Sequence, residues 1–225
     1  ENENKSVEIP IERVYDIYAE DNISISSGCL KILSENEITL HLFSHFGSYI
    51  GSYIPKEAVL SGKCVVNQSK KYSSADERLR LAKLFVEGAL ENMRLTLKRY
   101  KHKNCCYSDR RLKSMISGLD TFEDISKLMQ GEGEARKVYY ECLNHCINKY
   151  EFESRTRQPP ENEINAVMSY INSLLYAAIV TELYYTRLDQ KISFLHEPHE
   201  RRYSLSLDIS EIFNPMVGDR LLVRL

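Results

Sequence analysis

Apolar and polar positions change their rhythm along this chain. Up to about residue 58 they alternate or cluster in short runs. "VEIPI" (7–11) alternates, and so does "ITLHL" at Ile38, Leu40 and Leu42. "NISIS" (22–26) is β-rich between polar ends. "GCLKILSENE" (28–37) places Leu30 and Leu33 three apart and predicts a short helix. "FGSYIGSYIP" (46–55) sets Gly47, Gly51 and Pro55 among aromatic and β-branched residues, the pattern of a hairpin or bent strand. These segments predict a small β-rich domain over 1–60.

Near residue 60 the period lengthens. "SADE" (74–77) reads as a capping box, and a helix with Leu79, Leu81, Leu84, Phe85, Ala89 and Met93 should follow. Residues 104 to 120 are polar and should include a loop. "FEDISKLM" (122–129) predicts a short helix and "EARKVYYECLNHCINKY" (134–150) a longer one, which places Glu132 between them at a helix start. Pro159 and Pro160 open the strongest helical pattern, with Ile164, Val167, Met168, Ile171, Leu174, Leu175 and Ile179 in one stripe and Glu161 and Glu163 in its first turn. In "LDISEIF" (207–213) Asp208 and Glu211 share a helix face, with Leu205, Ile209, Ile212 and Phe213 opposite; "RYSLSL" alone also fits a strand. The expected class is α+β: a small N-terminal β-rich domain, then a larger all-α domain over 61–225. The order lacks βαβ alternation, and neither a dinucleotide-binding nor a P-loop fingerprint occurs.

Composition narrows the function classes. At 43% hydrophobic and 28% charged the chain reads as soluble and globular. A net charge of −2 gives no overall field toward nucleic acid, so an anion site must be a local patch. No window is expected to span a membrane, the longest apolar run being "LLYAAIV" (174–180). The six cysteines follow no disulfide or zinc pattern and read as reduced thiols. Cys142, His145 and Cys146 share one predicted helix face that could take a soft metal.

Candidate chemistry rests on a histidine and carboxylates. His196, Asp208 and Glu211 lie within "HEPHERRYSLSLDISEIFNP" (196–215), and Glu132 lies between Gly131 and Gly133 in "LMQGEGEAR" (128–136). Each has an ordinary reading: a solvated acidic face, a surface histidine, a helix cap, with Arg136 four residues from Glu132 as its partner. Taken together, one imidazole and two carboxylates suit Mg²⁺ or Mn²⁺ with open water positions. Arg201 and Arg202, and Arg155 and Arg157, are basic pairs that could hold a DNA backbone.

These segments resemble the CRISPR-associated spacer-acquisition integrases, the family called Cas "one", with the versions from subtype I-B systems the most similar. "FGSYIGSYIPKE" resembles the end of the family's β-domain, and "RLRLAKLFVEGALENM" its first long helix. "LMQGEGEAR" resembles the segment carrying its catalytic glutamate. "FESRTRQPPENEINAVMSYINSLLY" and "FLHEPHERRYSLSLDISEIFNPMVGDRLL" resemble its later motifs. The resemblance implies metal ligands at Glu132, His196 and Glu211, with Asp208 in or beside the site and Arg136 and Arg202 as nearby basic residues. It implies a cytoplasmic DNA endonuclease and integrase that uses Mg²⁺ or Mn²⁺ to join 3′-hydroxyl ends of protospacer DNA to a repeat by transesterification. It implies a homodimer formed through the β-domain, and a small Cas "two" partner protein. The chain departs from the family at Gln130-Gly131, where Gly-Ile is usual, and at Glu134, where asparagine is usual. Its ends read as truncated relative to the family, so a non-catalytic DNA-binding or scaffolding member, or an inactive fragment, is the alternative expectation.

Overall fold

The structure, a computed structural model, describes residues 8–56, 61–100, 103–147, 152, 154–156, 160–198 and 203–223. The chain divides into two compact units, Glu1–Leu60 and Ser61–Leu225.

The first unit is a three-stranded sheet in the order β1 (Asp16–Glu20), β2 (Thr39–Phe43), β3 (Tyr49–Tyr53). β1 and β2 run parallel, joined by helix α1 (Ser27–Glu35), whose first turn is capped by Ser26 accepting from the Cys29 N–H at 3.1 Å. The unit therefore contains one βαβ step, although the order of elements was expected to lack βαβ alternation. β2 and β3 form an antiparallel hairpin turned through Gly47 at φ 72°, so "FGSYIGSYIP" supplies part of the turn and the second strand rather than a hairpin of its own. Leu33, Ile38 and Leu40 are its buried core, with Ile17, Ala19, Leu42 and Tyr53 against them. The "NISIS" segment is not a strand, because Ser26 is spent as the helix cap. Within "VEIPI", residues 8–10 are irregular and a 3₁₀ turn begins at Ile11. Pro10 has no N–H to donate to a ladder. The strand that does form, Asp16–Glu20, escaped the pattern.

The second unit is all helical among the described residues: α2 (Gly62–Ser73), α3 (Ala75–Leu97), α4 (Lys103–Ser117), α5 (Ile125–Asn144), α6 (Glu163–Tyr184) and α7 (Ser204–Leu222), with a 3₁₀ turn at Leu119–Thr121. The α+β class holds. Ser74 is the N-cap of α3, but its side chain makes no capping bond. Glu77 turns instead to Lys71 at 2.5 Å and Arg80 at 3.2 Å, so the capping box does not form. Most of the polar stretch expected to include a loop is α4, and the chain leaves the helix only at Gly118; among its described residues a narrow line that includes Cys105, Ser108 and Leu112 is buried. α6 starts at Glu163 with Asn162 as its cap, so Glu161 precedes the first turn.

α5 differs most from expectation. It runs unbroken through Gly131 and Gly133, which places Glu132 in mid-helix rather than at a helix start. The two glycines have opposite surroundings. A Cβ on Gly131 would lie 2.5 Å from the Phe122 ring, whereas one on Gly133 meets nothing within 4 Å. Gly131→Ala is therefore expected to destabilise the protein by about 1–3 kcal/mol through overpacking. Gly133→Ala should be neutral or stabilise it by up to about 1 kcal/mol, the helix-propensity gain. Urea denaturation of the two variants checks the opposite signs.

α6 is long and apolar enough to cross a membrane by length and composition, which corrects the expectation that no such window exists. Here it serves as a core helix: Ile164, Met168, Ala177, Val180 and Leu183 are buried, and α7 packs along it. α7 is buried on several sides, at Leu205, Asp208, Asn214, Pro215, Asp219 and Leu222. Phe213, expected on its apolar side, is exposed. Pro215 lacks the N–H that a helix would give to the Glu211 carbonyl. α3 supplies donors beside this break: Asn92 Nδ2 to the Ile212 carbonyl at 2.8 Å and Thr96 Oγ1 to the Pro215 carbonyl at 2.9 Å.

Candidate active site

Glu132 from α5, Glu211 from α7 and His196 from the loop before α7 all line one cleft of about 510 Å³. Gly133, Arg136, Lys137, Tyr140, Glu141, Ser154 and Arg155 complete its wall. The three candidate ligands are separated by 64 and 15 residues in sequence, as their numbers show. The solvated-face reading of Asp208 and Glu211 fails: Asp208 is fully buried and the Glu211 side chain is only 17% exposed.

The Arg136 guanidinium sits between the two glutamates. Its Nε contacts Glu132 Oε1 and its Nη2 contacts Glu211 Oε2. The expected pair of Glu132 with Arg136 thus exists, but it is half of a three-membered cluster. Both carboxylates hold the guanidinium charge well above its ordinary range against the cost of burial. The carboxylate pair thereby accommodates a positive group at the point where a cation shared by Glu132 and Glu211 would lie.

Asp208 does not line the cleft. Its carboxylate accepts three consecutive backbone N–H groups: Phe194 at 2.7 Å, Leu195 at 3.0 Å and His196 at 3.0 Å. It also meets His196 Nδ1 at 2.8 Å. One buried side chain therefore fixes both the path of the loop and the orientation of the imidazole. The bond to Asp208 raises the His196 pKa; burial opposes this, and the charges of Asp208, Glu211 and Glu132 add to it.

The other side of the same loop is held from α2 and α3. Arg78 Nε donates to the Phe194 carbonyl at 3.0 Å and Nη2 to Glu197 at 2.7 Å, while Tyr72 donates its hydroxyl to Glu197 at 2.9 Å. The guanidinium also covers the Tyr72 ring at 4.5 Å. Arg78→Ala should release this edge of the loop, cost about 1–2 kcal/mol of stability and lower any activity that depends on His196 about tenfold. Thermal unfolding measured beside activity separates the two effects.

Sequence reasoning did not single out Arg78 or Asp219. Asp219 lies eight residues after Glu211 on α7 and is buried. Burial pushes its carboxyl up to about 7, against the pull of Arg136 and Arg155. Its spacing from Asp208 and Glu211 was the available signal. Arg155 reaches the cleft wall, but its guanidinium donates to α6, to Asn165 Oδ1 at 3.2 Å and Ser169 Oγ at 3.0 Å. Asn165 in turn donates to the Ser154 carbonyl at 2.9 Å, pinning this segment to α6. Arg157, Arg201 and Arg202 lie outside the described residues.

The family model for CRISPR associated protein Cas1 matches residues 1–225. The chain belongs to the Cas1 family. It is 45% identical over its whole length to the CRISPR-associated endonuclease Cas1 of Methanocaldococcus jannaschii, of which it covers 68%. It is 41% identical to the corresponding endonuclease of Methanothermobacter thermautotrophicus, with 96% of the chain and 64% of that protein aligned. The chain thus spans about two thirds of the length of the Cas1 relatives it matches. Among solved structures, a CAS1 protein from Thermotoga maritima superposes with a TM-score of 0.88 at 34% identity, covering 96% of this chain and 69% of that one. A casposase bound to its integration product shares the Cas1 fold, with a TM-score of 0.78 at 19% identity, over 89% of this chain and 57% of that one.

Proposed function

We propose that this Cas1 chain carries the catalytic centre of a DNA endonuclease and integrase of CRISPR adaptation, with Glu132, His196 and Glu211 as ligands of one Mg²⁺ or Mn²⁺. The observation that carries this reading is the pair of carboxylates from α5 and α7 closing on a single positive charge, with His196 on the same cleft wall. The donor types suit the ion, two hard carboxylates and one imidazole, but the three do not all lie within 4.8 Å of one another, so Arg136 must move aside for an ion to draw them together. When bound, such an ion stabilises the negative charge on the oxygen that leaves phosphorus.

The chain's own residues prepare that chemistry. Asp208 accepts at His196 Nδ1, which leaves the Nε2 lone pair for the cation. Lys137, on the cleft wall, supplies positive charge toward the phosphate backbone, and Arg155 holds the adjoining segment in place. The incoming 3′-hydroxyl of a short duplex displaces the 3′-oxygen of the repeat strand, so one phosphodiester forms as one breaks. Water in place of the hydroxyl gives cleavage. No covalent link to the protein is required. A second copy of the chain and a small Cas2 partner would present two such centres to the ends of one duplex, and the exposed Phe46 at the turn between β2 and β3 is a candidate contact for that assembly.

A second reading follows from Arg136. A guanidinium that permanently neutralises both carboxylates would make this a DNA-binding member without chemistry. One assay separates the two readings: a duplex with free 3′-hydroxyls is incubated with repeat-containing DNA and Mn²⁺ or Mg²⁺. Joined DNA that disappears with chelator supports the integrase. Salt-sensitive binding with no joined or cleaved product supports the second reading.

A further inference from the structure

A second set of metal-binding side chains lies away from the cleft, in the core between α4 and the end of α5. Cys105 comes from the first turn of α4. Cys142 lies in the last turn of α5, and Cys146 follows four residues later. All three are buried, at 3%, 1% and 8% exposure. Cys105 Sγ lies 3.1 Å from Cys142 Sγ and 3.5 Å from Cys146 Sγ, and all three sulfurs fall within 4.8 Å of one another. Among the described residues they are the one group of three histidine, cysteine or acidic side chains that meets this distance. The helix-face pattern had paired Cys142 and Cys146 with His145, but His145 is exposed and Cys105 takes the third place.

We propose that Cys105, Cys142 and Cys146 form a soft-metal site that takes one divalent d¹⁰ cation of the zinc class and staples α4 to α5. A zinc–thiolate bond of about 2.3 Å puts the sulfurs of such a site about 3.8–4.0 Å apart. The cluster reaches that spacing if its closest pair opens by less than about 1 Å. The donor set is all sulfur, so it rejects Mg²⁺ and Mn²⁺, the ions suited to the cleft. Charge selects among soft ions. Three thiols lose three protons as the ion enters, leaving a net charge of −1 with a divalent cation and −2 with a monovalent one. Burying the smaller charge costs less. Hydrogen bonding to Cys146 and burial both raise the Cys142 thiol pKa, so the ion must displace its proton and binding tightens as pH rises. Cys142 and Glu132 are ten residues apart on α5, about 15 Å along a helix. The staple therefore anchors the helix that presents Glu132 without touching the cleft.

Fully reduced protein titrated with Cd²⁺ alone provides the test. One equivalent should produce a thiolate-to-metal charge-transfer band in the ultraviolet, which carboxylates and imidazole do not give, and should raise the unfolding temperature. Cys146→Ala should lower the band at least tenfold. A variant with Cys29, Cys64 and Cys106 all replaced by alanine should keep it whole, and this arm decides the matter even where a core substitution impairs folding. The absence of a band in the wild type, its loss in the Cys29/Cys64/Cys106 variant, or its persistence in folded Cys146→Ala would each overturn the site.

Discussion

His196→Ala should lose metal-dependent strand transfer and cleavage by more than about 100-fold while remaining folded. The geometry separates the two consequences. The imidazole is one of three proposed donors, so its removal leaves a cation held by two carboxylates that already share Arg136. The loop does not depend on the ring in the same way. Asp208 keeps the three backbone N–H groups of residues 194–196, including that of residue 196 itself, because these do not involve the side chain. The lost Nδ1 bond is one of four to that carboxylate, and the side chain is 27% exposed, so the stability change should stay near 1 kcal/mol. Glu132→Ala should match it in activity but leave Arg136 with Glu211 alone. The measurement is joined product against Mn²⁺ concentration, with circular dichroism and low-salt duplex binding as controls. Wild-type activity in His196→Ala would end the metal-centre reading. Lost activity that accompanies lost binding would point to a fault in DNA docking instead.

The sequence was most informative where periodicity coincided with burial. α6 was legible because its stripe is apolar over many turns, and the hairpin because Gly47 marks its turn. α4 was not, because a helix that buries only a thin line of residues looks polar. α5 was split in two on paper by glycines that signal breaks in general. In the structure a neighbour's ring occupies the place of one missing side chain, at Phe122, and the helix continues. The candidate ligands were legible as a set only through the resemblance, since each alone has an ordinary surface explanation. What no pattern could supply was partnership. Arg136 was expected to pair with Glu132, but its second partner comes from α7, 75 residues away, as the numbering shows. Asp208 had two expectations, a solvated face on the ordinary reading and a place in or beside the site on the resemblance. It is buried beneath the loop, where it orders the residue that would bind the ion. Helix spacing can assign two acidic residues to one face, but it does not tell which of them the rest of the chain will cover.

That division of labour within α7 sets the second large expectation. Asp208→Ala should be the most destabilising single change near the cleft. It strands three buried backbone donors at once, each costing about 1–3 kcal/mol when left unmade, so a loss of roughly 3–5 kcal/mol is expected after some relaxation. For a unit of this size that corresponds to a drop in Tm of about 6–20 °C. Asp208→Asn keeps the shape and one accepting oxygen but places an NH₂ against donors. It should fold with a smaller loss, yet activity should still fall about 10- to 100-fold, because the imidazole loses the acceptor that fixes its Nδ1 proton. Glu211→Gln should reverse the order. Its side chain meets the guanidinium and the cleft rather than backbone donors, so activity should fall further than stability does. Measuring Tm and strand transfer across the three variants distinguishes a buried organiser from a ligand. If Asp208→Ala proves as stable as the wild type, the Asp208 contacts are not what holds the loop. If Asp208→Asn retains full activity, the Nδ1 contact does not set the state of His196.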